Sequence, residues 1–413
     1  MKQFTRLLIV ALTLGLGFGA CSSSSSDPKL PNKKGHLITF KLKLPDNQSD
    51  IKLTNSKLIA KELNSDSSET FEVEANEELS FTADLKSGLY HFSFEAKTKI
   101  DETETIYRGY LENSEINRET EKVISIYPFD EKANFVIEEI FYTGTVYPNT
   151  SKGYIGDQYF KITNNSDQPL YADGLVIAES TFTSTMKYDY VPDRKAEYVA
   201  VNALYAIPGK GDEYLIKPGS SMIIADKAIN HKVEAHENSF DLSKADFEWY
   251  DESSSANLQD TDNPNVPNLD IIFSYTATIW VLNKQGNKSY MILRLDADKQ
   301  TYLKDYKFDY SYIMPATGKE MNRSSLFVPN SWVIDAVNLS SLDRFQWNIL
   351  DTSLDAGFTY CGENSKDQNR YGKSVRRKID YIDGNGRKVL KDTNNSSEDF
   401  IHSATPSLLD PNS

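Results

Sequence analysis

Short segments in which apolar and polar residues alternate dominate the first part of the chain. Ile38, Phe40, Leu42 and Leu44 fall on one face of such a segment, at a period of two. Similar apolar segments, separated by polar turns, follow at residues 58–60, 71–73, 79–81, 90–94 and 122–126. This spacing predicts a small antiparallel β-sandwich over residues 35–130.

A second series of strand patterns begins at about residue 134. Residues 136–142 and 158–163 are rich in β-branched and aromatic residues, and turn-forming residues at 164–167 separate them from the apolar segment 170–177. We therefore expect a mainly β protein with two antiparallel, immunoglobulin-like sandwiches, the second spanning residues 134–410. Long polar stretches predict loop inserts and a few short helices in the second sandwich, over residues 178–213, 226–270 and 296–330.

The first residues of the chain have the pattern of a lipoprotein signal peptide. Lys2 and Arg6 flank a short basic start, residues 7–18 are apolar, and Gly19 and Ala20 precede Cys21. The apolar run is too short for a membrane-spanning helix, so we expect cleavage after residue 20 and acylation of Cys21. Residues 21–34 are rich in Ser, Pro and Lys and predict a flexible tether. The expected location is the outer membrane, with surface exposure favoured over the periplasmic side.

Composition narrows the possible partners. The chain has 45 basic and 60 acidic residues and a formal net charge of −15, which disfavours binding to nucleic acid. Its cysteines are Cys21 and Cys361, so acylation of the first leaves no pair for an intramolecular disulfide. Stability must therefore come from a packed core.

Aromatic residues of the predicted inserts are the candidate binding residues. Residues 306–312 alternate aromatic with polar side chains, so one face of a strand there would be aromatic. Such a stripe either belongs to a core or forms an exposed surface suited to stacking on sugars or to a protein interface. The candidates are Trp249, Tyr250, Tyr302, Tyr306, Phe308, Tyr310 and Tyr312.

Catalytic and cofactor motifs do not emerge from the sequence, and we predict neither a cofactor nor a metal site. Asp260 and Asp262 are the best candidates for calcium, although the glycine turn and final glutamate of an EF-hand loop are missing. His231 and His236 are five residues apart, which on a helix directs their rings about 140° apart. We therefore expect both histidines in a solvated loop.

Local motifs resemble known β modules. The run at 85–92 contains Leu85, Gly88 and Tyr90 and resembles the turn and strand of transthyretin-like and carboxypeptidase-regulatory-like modules. Segments of the second part resemble, in order, the strands and turns of the lamin-tail-domain family, an immunoglobulin-like sandwich. These segments are residues 158–177, 214–225, 280–286, 332–337 and 372–377.

Residues 241–248 and 392–400, together with the pattern that ends at Cys21, resemble an uncharacterised family of Bacteroidota outer-membrane lipoproteins. The resemblance implies attachment to the outer membrane and a TonB-dependent receptor as a partner. We accordingly predict a lipid-anchored binding or interaction protein and not an enzyme, with its small-molecule ligand undetermined. The alternative is a surface hydrolase acting on glycans or phosphoesters through paired carboxylates, for which the sequence singles out no pair.

Overall fold

The computed structural model describes most of the chain from residue 35 onward. The described residues are 35–44, 51–65, 67–76, 78–100, 103–129, 135–166, 169–314, 317–382 and 387–410. The predicted signal peptide, Cys21 and the tether lie outside them, as do residues 130–134 at the predicted boundary between the two sandwiches. Within the described residues, no helix has the length and apolar character needed to cross a membrane.

The described N-terminal residues form one seven-stranded sheet. Its strand order is β3-β2-β5-β6-β7-β1-β4, in which β1 pairs parallel with β7 and the other pairs are antiparallel. The strands are β1 (His36–Lys43), β2 (Thr54–Glu62), β3 (Ser67–Val73), β4 (Ser80–Leu85), β5 (Gly88–Ile100), β6 (Thr103–Ile116) and β7 (Thr120–Phe129).

The alternation of apolar residues decides which face of this sheet is buried. Ile38, Phe40 and Leu42 on β1 are buried, as the period of two predicts. The Phe40 ring stacks on Phe81 and meets the edge of Phe92, with ring centroids 5.2 and 5.0 Å apart. The face that carries these residues thus forms a separate hydrophobic core, whose members lie between residues 38 and 126.

The remaining described residues form two larger sheets and two two-stranded sheets, β10-β13 and β22-β23. One sheet has the order β18-β19-β12-β11-β17-β20, with β16 also paired to β12, and the other has the order β15-β14-β9-β8-β21-β24. The strands are β8 (Phe135–Phe141), β9 (Tyr159–Asn164), β10 (Leu170–Tyr171), β11 (Leu175–Ser180), β12 (Tyr198–Ala206), β13 (Leu215–Ile216), β14 (Ser221–Ala225), β15 (Phe247–Glu248), β16 (Asp270–Ser274), β17 (Ser289–Arg294), β18 (Lys307–Ile313), β19 (Glu320–Pro329), β20 (Val333–Asn338), β21 (Ser374–Arg377), β22 (Ile379–Ile382), β23 (Lys388–Leu390) and β24 (Phe400–Ala404).

Helical structure is short, as expected. The α-helices of the described residues are α1 (Lys299–Asp305) and α2 (Ser396–Asp399), accompanied by single 3₁₀ turns at Glu234–His236, Asn330–Trp332, Gln368–Arg370 and Ser407–Leu409. The prediction of a mainly β, sandwich-type fold is therefore confirmed. The predicted inserts are more ordered than loops, because they contain the regular strands β12, β18 and β19.

The sheet that contains β11 is buried on both faces. Leu175 and Ile177 of β11 enter the core between the two sheets, whereas Val176 and Ala178 enter a second core on the opposite face. Tyr302 of α1 belongs to this second core and covers it. The continuous apolar run at residues 175–178 of β11 fits this middle layer, because each face meets another hydrophobic surface.

Polar contacts connect the N-terminal sheet to the rest of the protein. Arg108 on β6 donates a hydrogen bond from Nη1 to the carbonyl oxygen of Asp392, at 2.7 Å. Lys61 on β2 lies 3.7 Å from a carboxylate oxygen of Glu398. The domain boundary near residue 130 stays a prediction, since residues 130–134 lie outside the described residues.

Candidate functional site

The aromatic stripe predicted from the sequence lies on β18, the edge strand of the middle sheet. Helix α1 precedes it and is capped at its N-terminus by Asp298, whose side chain accepts hydrogen bonds from the backbone N–H groups of Gln300 and Thr301. The helix ends at Asp305, Tyr306 is its C-cap residue, and the extended strand starts at Lys307. The alternation of the strand then places Phe308, Tyr310 and Tyr312 on one face.

These three residues pack into an aromatic cluster with side chains from distant parts of the chain. Tyr310 meets the edges of Phe182 and Tyr190, and Tyr312 meets the edge of Tyr188 with ring centroids 4.8 Å apart. We call the whole group the aromatic cluster: Phe182, Tyr188, Tyr190, Tyr198, Phe308, Tyr310, Tyr312, Phe327 and Trp347.

The aromatic cluster has a buried layer and an outer layer. Phe327 and Tyr310 are only 0% and 8% exposed and form the base, together with Phe182 and Tyr190. The outer layer is half-buried, and Met186, which is exposed, lies beside Trp347 because the indole Nε1 of that tryptophan donates to the Met186 carbonyl. We call this outer surface the aromatic patch: Met186, Tyr188, Phe308, Tyr312 and Trp347.

Cationic side chains border the aromatic patch. The guanidinium of Arg194 lies over the Phe308 ring, 4.4 Å from its centroid, and Lys195 lies 5.8 Å from the centroid of Trp347. Lys195 also donates from Nζ to the carbonyl oxygen of Asn348 at 2.7 Å, and burial lowers the pKa of its ammonium. These contacts hold the outer rings in place by attraction between a cation and a π system.

Two of the candidate aromatic residues are core residues instead. Trp249 and Tyr302 are fully buried, and the indole of Trp249 donates its Nε1–H to the carbonyl oxygen of Trp280 at 3.2 Å. Neither side chain offers surface to a partner outside the molecule. Tyr306 is half-buried but packs on Tyr302 and Trp332, so it does not extend the face formed by Phe308, Tyr310 and Tyr312.

Tyr250 lies apart from the aromatic cluster. It lines a shallow hollow of about 580 Å³ together with Asp251, Glu252 and Lys299. The Asp251 carboxylate is turned inward, where it accepts hydrogen bonds from the Tyr205 hydroxyl and the Trp280 N–H. The structure therefore does not unite Tyr250 with the other candidate binding residues.

The histidines expected in a solvated loop are buried. His231 and His236 are 4% and 3% exposed, and both rings pack against Tyr154. A hydrogen bond of 2.8 Å joins His231 Nδ1 to the Tyr154 hydroxyl, and another of 2.8 Å joins His236 Nε2 to Thr145. Burial lowers the pKa of both histidines. The prediction of a solvated loop was wrong because the spacing argument considered a helix, whereas the chain turns back here and folds over Tyr154.

The calcium candidates do not converge. The Asp260 side chain is buried and forms an ion pair of 3.1 Å with Lys227, whereas Asp262 accepts a hydrogen bond from Asn268 on the surface. Asp226 is buried near Asp260, and burial, followed by the charge of Asp260, raises its pKa well above the usual range. Among the described residues, no group of three or more His, Cys, Asp or Glu side chains is placed to hold a metal ion.

Several residues of the aromatic cluster were missed by the sequence analysis. Tyr188 and Tyr190 alternate with polar residues in the predicted insert 178–213, and this is a weak form of the signal that singled out β18. Trp347 carries no local signal, since its contact with Phe182 joins positions 165 residues apart.

Comparisons with known proteins show that this mainly β chain is similar to proteins without an assigned function. The model of a family described as "Protein of unknown function (DUF4876)" matches residues 217–407. The crystal structure of a DUF4876 family protein from Bacteroides thetaiotaomicron VPI-5482 is similar to the chain, with a TM-score of 0.56 and 21% sequence identity over 90% of this chain and 96% of that chain. These findings support the expected relationship to an uncharacterised Bacteroidota family, and at this identity the structural likeness shows the fold alone.

A crystal structure of a DUF3823 family protein from Parabacteroides merdae ATCC 43184 also aligns, with 7% identity over 71% of this chain and 97% of that chain. Its TM-score is 0.15. No curated protein matches the chain.

Proposed function

We propose that the protein is a lipid-anchored binding protein of the outer membrane that contacts its partner through the aromatic patch. Acyl chains on Cys21 would provide the anchor, and exposure at the cell surface is favoured over the periplasmic side. The observation that carries the binding role is the half-buried layer of Tyr188, Tyr312 and Trp347 above a fully packed aromatic base.

This layer has the physical properties of a contact surface. Tyr and Trp supply large apolar area with few rotatable bonds, so binding costs little side-chain conformational entropy. The T-shaped contact between Tyr312 and Tyr188 and the hydrogen bonds of Trp347 to Thr183 and Met186 fix the rings before a partner arrives. Preorganised area of this kind contributes more to affinity than the same area on mobile side chains.

The partner that we propose is an outer-membrane receptor of the TonB-dependent class. It would be a protein and not nucleic acid, because the net charge of −15 repels a phosphate backbone. We further infer that the second part is a lamin-tail-like sandwich and the first a transthyretin-like module. The hydrolase alternative needs a pair of carboxylates open to substrate, and Asp226, Asp251 and Asp260 in the predicted inserts are buried with their side chains directed inward.

A pull-down from detergent-solubilised outer membranes tests the binding role. The bait is the full chain, and the readout is a TonB-dependent receptor identified by mass spectrometry. Tyr188→Ser combined with Tyr312→Ser removes two rings of the patch and should abolish recovery of the receptor. Tyr381→Ser is the matched control, because Tyr381 is 54% exposed on β22, outside the aromatic cluster. Equal recovery with the folded double variant would contradict the proposal.

A further inference from the structure

The hollow that contains Tyr250 opens beside β16, outside the aromatic cluster, and has a volume of about 580 Å³. Its floor is β16, from which the half-buried side chains of Ile271, Ile272 and Phe273 line it. These three residues pack against the two cores of the second part, so the floor is fixed in place. The volume lies within the range of small-molecule sites, which combine an apolar surface with a few polar groups.

Two further segments line the hollow, residues 250–252 and residues 276–278. The backbone N–H of Ser254 donates to the carbonyl oxygen of Ala277 at 2.8 Å and ties the two segments together. Asp251 holds the first segment in place, because its buried carboxylate accepts two hydrogen bonds from inside the protein. The walls are therefore formed before a ligand arrives.

The polar side chains of the hollow have unused hydrogen-bonding capacity. Among the described residues, neither the Tyr250 hydroxyl nor the Glu252 carboxylate takes part in a hydrogen bond, and the Tyr250 ring contacts no other aromatic ring. Lys299 donates from Nζ to a backbone carbonyl oxygen of β16, which leaves two of its three N–H groups available. The hydroxyls of Thr276 and Thr278 share one hydrogen bond of 2.9 Å, so one hydroxyl hydrogen remains to be donated.

These groups together define the hydrogen-bonding character of a ligand. Glu252 only accepts hydrogen bonds, Lys299 only donates them, and Tyr250 does both. A hydroxyl group is donor and acceptor at once, so a ligand with several hydroxyl groups satisfies all three. An ammonium group would satisfy Glu252 but would repel Lys299 and offer it no acceptor. A carboxylate or phosphate would satisfy Lys299 but would repel Glu252.

The charges around the hollow give no advantage to an anion. Glu252 and Lys299 are opposite in sign and both line the space. Asp251, the third charged lining residue, is turned inward, and burial raises its pKa. Asp262 adds negative charge at the rim, where it accepts a hydrogen bond of 2.8 Å from the lining residue Asn268. A neutral ligand therefore fits the lining best.

We propose that this hollow binds a neutral saccharide. A pyranose ring carries C–H groups on its faces and hydroxyl groups around its edge. One face can lie on the Tyr250 ring and the apolar floor, where an aromatic side chain supplies a large rigid surface. The hydroxyl groups then reach Glu252 and Lys299. This site is separate from the aromatic patch and does not depend on the receptor contact proposed above.

Saturation-transfer difference NMR on the full chain tests the proposal with four neutral disaccharides: maltose, cellobiose, xylobiose and mannobiose. Transfer to the C–H protons of at least one of them is expected. A dimer of galacturonic acid and a dimer of glucosamine are the anionic and cationic probes, and both should bind more weakly. The affinity is then measured by titration of the disaccharide that binds.

Two variants locate the site. Tyr250→Ala should weaken binding at least about tenfold, which corresponds to about 1.4 kcal/mol of lost contact. Glu252→Gln should weaken it several-fold, because a neutral amide replaces the charged acceptor of the ligand hydroxyls.

Matched controls are Tyr275→Ala and Glu237→Gln. Tyr275 is 61% exposed next to the hollow without lining it, and Glu237 is exposed elsewhere in the second part. Both controls should keep the affinity, and so should Tyr188→Ser combined with Tyr312→Ser in the aromatic patch.

Lack of transfer to all four neutral disaccharides would overturn the proposal, and so would stronger binding of either charged dimer. Unchanged affinity in Tyr250→Ala, or a loss confined to the variant of the aromatic patch, would reject this site and assign the binding to another surface. If Tyr250→Ala does not fold, Tyr250→Phe keeps the ring and should keep most of the affinity, and unchanged affinity in Glu252→Gln would then reject the site.

Discussion

Arg377 and Asp335 form a buried ion pair that fastens the two large sheets together. The Nη2 of Arg377 on β21 lies 2.8 and 2.6 Å from the two carboxylate oxygens of Asp335 on β20. Both residues also bond to Ile137 on β8: its N–H donates to Asp335 at 2.6 Å, and its carbonyl accepts from the Nε of Arg377 at 3.0 Å. Three strands from two sheets thus meet at one charge pair.

Removal of one member of this pair should destabilise the protein strongly. Arg377→Met leaves the Asp335 carboxylate buried without its partner, and such losses cost about 3–5 kcal/mol. The measurement is the free energy of unfolding in urea. Arg377→Met combined with Asp335→Leu should recover only part of the loss, because Asp392 and the buried Asp399, at 3.2 and 3.6 Å from the same guanidinium, still lose their partner. A single variant as stable as the parent would contradict this role of the ion pair.

The buried histidines should give the protein a specific acid sensitivity. Because burial lowers the pKa of His231 and His236 below the usual 6.5, protons bind more strongly to the unfolded chain. Their contribution to stability is therefore complete above about pH 6.5 and decreases as the pH falls through this value, by at most about 1.4 kcal/mol per pH unit for each histidine.

Other groups titrate in the same range, so a variant must isolate the effect of the histidines. As the pH falls from 8 to 5, the free energy of unfolding should decrease more for the parent than for the double variant His231→Gln with His236→Gln. Urea midpoints at each pH measure the difference. A difference that does not change with pH would contradict the expectation.

Asp226 should behave in the opposite way. Burial raises its pKa well above the usual value of about 3.9 for an aspartate, and neither carboxylate oxygen has a hydrogen-bond partner among the described residues. The stability that depends on a protonated Asp226 is therefore fully present below about pH 3.9. It is lost as the pH rises toward the pKa that Asp226 has in the folded protein. Asp226→Asn should be more stable than the parent at pH 8, by at least about 1 kcal/mol, and the gain should shrink toward pH 4. A destabilised variant at pH 8 would show that the charged carboxylate is needed.

The two layers of the aromatic cluster should respond differently to truncation. Tyr310→Ala removes a ring from the buried base and should cost about 3–5 kcal/mol of unfolding free energy. Tyr312→Ala removes a half-buried ring and should cost less than half as much. Thermal or urea unfolding measures both. Equal costs would place Tyr312 in the core and remove it from the proposed contact surface.

Anchoring can be tested at Cys21. The parent should fractionate with outer membranes, and Cys21→Ser should appear in the soluble fraction or remain unprocessed, because acyl chains need the thiol. Protease treatment of whole cells then distinguishes surface exposure from the periplasmic side. Recovery of the parent in the soluble fraction would rule out lipidation.

Local patterns in the sequence were sufficient to predict the β class and many strand faces. The alternation at Ile38, Phe40 and Leu42 identified the buried face of β1, since the side chains of a strand point alternately to either side. The same argument placed Phe308, Tyr310 and Tyr312 together. It erred for Tyr306, because this residue is the C-cap of helix α1 and the strand begins one residue later.

The sequence by itself thus determined the alternation of apolar and polar residues along the strands, the positions of turn-forming residues and the net charge. These properties depend only on neighbouring residues or on composition. Tertiary structure decided which faces meet. It buried His231 and His236 around Tyr154, covered the β18 stripe with Tyr188 and Trp347, and joined Arg108 to the carbonyl oxygen of Asp392. These contacts join residues far apart in the chain, and their free energy comes from burial and charge in the assembled fold, so no local pattern records them.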